Sequence, residues 1–189
     1  VNLKKFKRSK EYPDTPSFLF IGRLLKSKGV LEYLKAARFL KEKYPMIHFS
    51  LLGDFDKNPS SLSREELEKY ISLGSVNYLG SSNDVKSVLE DYSILVLPSY
   101  REGTPRSVLE AMSMSMPIVT TNAPGCKETV VDGLNGYLSK VGDHKNLSEC
   151  MEKFILKPNL IKQFGDISRK IAQEKYDVDF VNKSIIQEM

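Results

Sequence analysis

Cysteine, histidine and long apolar runs are all scarce in this chain, and each scarcity removes a class of protein. Only Cys126 and Cys150 are present, too few and too far apart for a disulfide framework or a thiolate metal site. The expected setting is therefore reducing and cytoplasmic. No apolar run approaches the roughly 20 residues needed to span a bilayer, and the opening residues lack a secretory leader pattern. His48 falls inside a strand signal and reads as structural. His144 falls in an expected loop, and neither histidine stands in a Ser/His/Asp, Cys/His or metal-ligand pattern. The chain has no G-x-x-x-x-G-K-[ST], which excludes a P-loop. Gly22-Arg23-Leu24 stands where a dinucleotide fingerprint would need G-x-G-x-x-G, and without those glycines Asp54 is a weak ribose ligand.

A surplus of one charge is also missing once the chain is divided. The net charge of +4 comes from Lys4, Lys5, Lys7, Arg8 and Lys10, in a head of ten residues without an acid. Leaving those five aside reduces 28 basic residues to 23, against 24 acidic ones. The body is near neutral, so no nucleic-acid partner is expected. The head reads either as a solvated linker or as a contact for anionic lipid head groups. A chain of 189 residues with 41% hydrophobic and 28% charged content is long enough for one full core. The expected division is a basic linker over 1–16, a globular domain over 17–176 and a helical extension over 177–189. Because the first residue is Val1, the expectation is a processed chain or a piece of a longer one.

What the chain does have is alternation of strand and helix signals. Phe18–Ile21 reads as a buried strand ending at Gly22. Val30, Leu34, Ala37 and Leu40 then recur at helical spacing. Ile47–Leu52 is a second strand, and Ser63 with Glu66 forms a capping box for the next helix. Val76–Gly80 is a third strand, followed by a short helix over 84–92. Ile94–Leu97, Pro117–Thr120 and Gly136–Leu138 supply three more strands. Two helices from Lys145 to about Lys175 follow, with an amphipathic piece near Phe180 to Ile186. Six strands alternating with helices predict a doubly wound parallel six-stranded sheet of Rossmann-like α/β class.

The most informative stretch runs from Ser93 to Met114. Ile94-Leu95-Val96-Leu97 is apolar at successive positions, as a strand covered on both faces requires. Thr104-Pro105 then reads as a helix start, with Thr as N-cap and Pro in the first helical position. A strand, a loop and a helix N-terminus in that order make a natural anion site. Glu102 and Glu110 frame the start. Eight helical steps would leave them about 80° apart, so Glu102 is better placed before the helix and Glu110 inside it. Glu102 reads equally as a partner for the helix dipole, and Glu110 equally as a solvent-facing helical acid.

The strand order 3-2-1-4-5-6 reverses between strands 1 and 4, where ligands bind at the carboxyl ends. The loops after Ile21 and Leu97 should then share one crevice. Arg23 and Lys28 from the first loop would meet Glu102 and the helix start from the second. Cations and free N–H groups suit phosphate oxygens, whereas carboxylates suit hydroxyl groups. A nucleotide-sugar offers both. On spacing alone, Arg23 and Lys28 read equally as solvated loop charges.

Pro98-Ser99-Tyr100-Arg101-Glu102-Gly103-Thr104-Pro105, followed by Val108-Leu109-Glu110-Ala111-Met112, resembles the E-x7-E signature of retaining glycosyltransferases. These are the GT-B enzymes of glycosyl transferases group 1, which include bacterial polysaccharide and lipid mannosyl- and glucosyltransferases. Ile21-Gly22-Arg23-Leu24, Lys28-Gly29, Leu79-Gly80, Pro117-Ile118-Val119 and Asp132-Gly133-Leu134-Asn135-Gly136 match in the same order. The likeness runs from about Ser17 to Met151. It implies one half of a GT-B fold that binds a nucleoside diphosphate sugar without a metal or other cofactor. Arg23 and Lys28 are implied to grip the diphosphate, and Glu102 to bind sugar hydroxyls without acting as a nucleophile. Backbone N–H groups of Gly103, Thr104 and Arg106 would face the sugar and phosphate. Glu110 would bind the ribose, Leu79 and Val85 would flank the base, and Gly22, Pro105 and Leu109 complete the expected donor-binding set.

The resemblance further implies an acceptor-binding domain upstream of Val1. The acceptor would be a glycan or lipid-linked sugar, used in cell-surface polysaccharide or glycolipid synthesis at the inner face of the membrane. The fragment alone is expected to be inactive. Other readings are a different GT-B enzyme, such as a nucleotide-sugar epimerase, or a non-catalytic nucleotide-binding module. Two positions depart from the family pattern. Ser115 stands where Gly is usual, with looser packing before the fifth strand as the expected result, and Phe55 stands where a second Gly is frequent.

Overall fold

A computed structural model describes residues 1–177; the expected helix near Phe180 lies outside them. Each apolar run becomes a strand: β1 (Ser17–Ile21), β2 (His48–Leu52), β3 (Asn77–Tyr78), β4 (Ile94–Leu97), β5 (Ile118–Thr121) and β6 (Gly136–Ser139). They form one sheet in the order β3-β2-β1-β4-β5-β6, with every pair parallel. β1, β4 and β5 are buried at every position, as strands covered on both faces must be. β3 keeps two residues because it is the edge and pairs only with β2.

Between the strands run α1 (Val30–Lys43), α2 (Arg64–Ser72), α3 (Val85–Glu90) and α4 (Arg106–Ser113), with α5 (His144–Leu156) and α6 (Asn159–Lys175) after β6. The crossover from β1 through α1 leads one way along the sheet, and that from β4 through α4 leads the other. Since both are right-handed, α1 and α4 fall on opposite faces. α1 packs on α5, and α4 on α6.

Side-chain caps fix several helix starts. Ser63 Oγ accepts from Glu66 N–H at 3.0 Å while Glu66 accepts from Ser63 N–H. Asp143 accepts from the N–H groups of Lys145 and Asn146, which hold its carboxyl below the usual range, the Asn146 contact most strongly. His144 is thus the first residue of α5, not a loop residue, because Asp143 caps the helix just before it.

The basic head is not a solvated tail. Phe6 is buried in the core. The Arg8 guanidinium donates to the carbonyls of Leu89, Glu90, Tyr92 and Met114, tying the C-terminal ends of α3 and α4 together. Burial lowers the Arg8 pKa, and its guanidinium lies 4.4 Å over the Tyr12 ring. Glu90 accepts from Ser9, whose hydroxyl bond is the main cause of its depressed pKa. A residue count sees five charges in this head; the fold uses one of them as a multiple cap for carbonyls that no helical N–H reaches.

Ser115 shows why Gly is usual at its position. Its φ is 59°, and it is the one non-glycine with positive φ among the described residues. The expected loosening of packing does not occur, since Ser115 is half-buried and its carbonyl accepts from Tyr12 Oη. The cost is backbone strain from a Cβ in the left-handed region. Ser115→Gly should therefore stabilise the domain by about 0.5–1 kcal/mol in urea unfolding. Arg8→Ala should cost roughly 2–4 kcal/mol, because it strands several buried carbonyls. Lys10→Ala, which removes an exposed ion pair with Asp91, should leave the same urea midpoint almost unmoved.

Candidate functional site

The reversal in strand order places the carboxyl ends of β1 and β4 side by side, and two close backbone approaches lock their loops together. Gly29 has φ +72°, and a Cβ there would lie 2.0 Å from the Pro98 carbonyl oxygen. Tyr100 N–H donates to Ser27 O at 2.9 Å. Lys28 is thereby delivered to Glu102. Its ammonium donates to both carboxylate oxygens at 2.7 Å. On the other side Ser107 Oγ reaches Ile21 O at 3.3 Å, joining α4 to the end of β1.

A cavity of about 210 Å³ opens at this junction, lined by Gly22, Arg23, Lys28, Glu102, Pro105 and Arg106 among others. The expected charged cluster is thus assembled in one place. Arg23 is two-thirds exposed and its guanidinium meets Asp56 at 2.7 Å. Asp56 also accepts from Asn58 N–H, and these contacts depress its pKa, the backbone bond first. Arg106 continues into a second cavity of about 420 Å³, where it is joined by Thr104, Leu109 and Glu110 from the α4 region and by Asn2, Lys5 and Phe6 from the head.

Both carboxylates have specific partners, and Glu110 loses its solvent-facing reading. Glu102 does not cap α4, whose start has no side-chain cap; it bonds Lys28 and accepts from Ser99 Oγ at 2.6 Å. Glu110 is 6% exposed, not a solvent-facing residue, and accepts from Arg106 Nε at 2.8 Å.

The helix start is also one residue later than expected. Pro105 is the N-cap, with ψ of 110°, and Thr104 is exposed and makes no cap. A residue before proline is held in extended backbone, and Pro105 itself stays extended, so Arg106 supplies the first helical N–H. Leu79 and Val85 line neither cavity. Leu79 follows the edge strand β3 and Val85 opens α3, two strands away from β1.

Several positioning groups carry no sequence motif. The loop after β5 supports the Glu102 loop from below: Glu102 N–H donates to Pro124 O at 3.0 Å. A Cβ on Gly125, whose φ is +81°, would lie 2.0 Å from Glu102 O and 2.4 Å from Gly103 O. The Pro-Gly pair a few residues after a strand is the signal the sequence offers for it. Cys126, buried in the same loop, has its thiol pKa raised by burial, and burial pushes the Cys150 thiol up to about 11. Both are poor thiolates. Phe55 packs edge-on to Tyr78, with the Arg64 guanidinium 4.5 Å over its ring. His48 is exposed at the amino end of β2, across the sheet from the crevice. Among the described residues no group of three or more His, Cys, Asp or Glu could hold a metal ion, and no helix is long and apolar enough to cross a membrane.

With this geometry in view, comparison with known proteins is specific. The family model for glycosyl transferases group 1 matches residues 1–171, and the chain belongs to that family. Its fold is the C-terminal-domain fold of the family's GT-B members. It is 39% identical over 151 residues to the N,N'-diacetylbacillosaminyl-diphospho-undecaprenol alpha-1,3-N-acetylgalactosaminyltransferase of Campylobacter jejuni, covering 78% of this chain and 38% of that one. It is 25% identical over 162 residues to the capsular polysaccharide biosynthesis glycosyltransferase CapM of Staphylococcus aureus, covering 86% and 42%. The chain therefore spans less than half the length of these relatives. Among solved structures, the C-terminal domain of a group 1 glycosyltransferase (LpcC) from Francisella tularensis superposes with a TM-score of 0.83 at 23% identity, covering 94% of this chain and 99% of that one. Alr3699/HepE of Anabaena in complex with UDP superposes with a TM-score of 0.87 at 22% identity, covering 100% and 55%.

Gly125→Ala tests the buried support of the crevice. It should cost at least about 1–2 kcal/mol for the left-handed backbone alone, with a further loss as the Glu102 loop is displaced. The urea midpoint should fall measurably. An unchanged midpoint would mean that the two loops do not pack as described.

Proposed function

We propose that this chain is the donor-binding half of a retaining glycosyltransferase, holding a nucleoside diphosphate sugar at the junction of β1 and β4. One observation carries the reading. Arg23, Lys28, Glu102 and Arg106 line one cavity, beside the start of a helix whose next turn carries the buried Glu110. Cations at a helix N-terminus suit a diphosphate. The adjoining carboxylates suit the hydroxyl groups of the two rings that a diphosphate joins.

In this reading the residues divide the work by charge. Arg23 and Lys28 hold the diphosphate, and their fixed positive charge stabilises it as negative charge builds on the leaving group. Preorganised charge of that kind is a large catalytic term, and side-chain cations supply it without a metal. Glu102 orients the sugar through its hydroxyls, and no protein nucleophile is assigned. Glu110 holds the ribose in the second cavity, at the flank of α4.

The remaining parts of the proposal concern the whole enzyme. An acceptor-binding domain preceding residue 1 would complete the cleft. The acceptor would be a glycan or a lipid-linked sugar, in cell-surface polysaccharide or glycolipid synthesis at the cytoplasmic face of the membrane. The lipid-linked acceptor of the Campylobacter relative and the capsular polysaccharide synthesis of the Staphylococcus one support that acceptor class, and the UDP held by the Anabaena protein supports a nucleoside diphosphate donor. Without the second domain this chain should bind a donor and transfer nothing.

Calorimetric titration with UDP and GDP, and with UDP- and GDP-sugars, tests the site. Arg23→Ala and Glu110→Ala should each weaken the best ligand roughly ten- to a hundred-fold, as expected for a lost charge-assisted hydrogen bond. Unchanged binding in both variants would move the site elsewhere.

A further inference from the structure

Each cation that lines the crevice is already paired with a carboxylate. Arg23 pairs with Asp56 at 2.7 Å, Lys28 with Glu102 at 2.7 Å and Arg106 with Glu110 at 2.8 Å. Each of these cations is thus already partnered, and an arriving anion must displace a carboxylate to reach it. The pairs are not equivalent. Arg23 and Asp56 are exposed by 66% and 21%, so solvent screens that pair and it parts at little cost. Arg106 is 84% exposed, although its partner Glu110 is buried, and only in the Lys28–Glu102 pair are both partners withdrawn from solvent. Lys28 and Glu102 are exposed by only 24% and 9%. Separating that pair leaves a largely buried carboxylate in need of new donors.

We infer that Glu102 is a built-in competitor for Lys28, so that the site selects ligands carrying a diphosphate and hydroxyl groups together. This rests on the function proposed above and adds a second role to Glu102. A diphosphate alone can take Lys28, but it strands Glu102 with only the Ser99 hydroxyl as donor. A free sugar offers hydroxyl donors, but it cannot displace an ammonium that both carboxylate oxygens already hold. A sugar diphosphate does both at once: its phosphate oxygens take the ammonium, and its hydroxyls replace the two hydrogen bonds that the ammonium withdraws. The exchange conserves hydrogen bonds only for the joined ligand. Selectivity of this kind comes from leaving buried polar groups unpaired in the wrong complex.

The test uses inorganic pyrophosphate as the probe, in magnesium-free buffer, with calorimetry on the wild-type chain and three variants. Glu102→Gln keeps an oxygen for the Ser99 hydroxyl but no longer holds Lys28 as a charge partner; it should bind pyrophosphate about ten-fold more tightly than wild type. Glu102→Asp keeps the charge but draws the carboxylate back by one methylene, and should fall between the two. This variant separates hydrogen-bonded competition from a general field effect, under which it would match wild type. Lys28→Ala should weaken pyrophosphate in every background and erase the gain from Glu102→Gln. Thermal unfolding of each variant confirms that it is folded. If Lys28→Ala weakens the probe while Glu102→Gln and wild type bind equally, competition is disproved and the diphosphate site stands. If Lys28→Ala changes nothing, or no variant binds pyrophosphate, the diphosphate site and the competition both fall.

Discussion

The site depends on one close approach of two backbones. Gly29 lies against the Pro98 carbonyl at a distance that no side chain could share. That contact holds the loop after β1 to the loop after β4. It sets Lys28 within hydrogen-bond reach of Glu102 and aims the starts of α1 and α4 at the same space. The left-handed backbone at Gly29 serves both purposes, since it turns the chain into α1 while leaving no Cβ in the gap. The parallel sheet supplies the rest, because adjacent strands that lead away in opposite directions leave a crevice between their loops.

The support beneath the crevice is as specific as its walls. Pro124 and Gly125 seat the Glu102 loop, and Ser99 orients the Glu102 carboxylate from within that loop. On the far side, Arg8 gathers carbonyls at the ends of α3 and α4, so the basic head stabilises the helix whose start faces the crevice. Charge in this protein is mostly used locally: each cation of the crevice has a named acid, and the one deeply placed arginine of the head has carbonyls. A crevice whose cations are paired with acids favours ligands that can satisfy both signs at once.

Much of this was legible in the residues. Consecutive apolar positions in Phe18–Ile21 and Ile94–Leu97 gave buried parallel strands, and Ser63 with Glu66 marked a helix start that the structure keeps. The spacing of Glu102 and Glu110 separated a loop acid from a helical one. Other features were misread because they depend on neighbours distant in sequence. Thr104 looked like an N-cap, but Pro105 remains extended and takes the cap position itself. Of the five charges in the head the four lysines do stay exposed, but Arg8, with Phe6 beside it, packs against α3, α4 and α6.

Pattern alone determined the class of fold and the chemical types gathered at the reversal point, because burial and helix periodicity are written into short windows of residues; the strand order followed from the common order of that class. The tertiary structure decided which charges pair, which acid is buried and which loop supports which. Those outcomes turn on distances between segments some 70 residues apart, such as Lys28 and Glu102, and no local pattern encodes them.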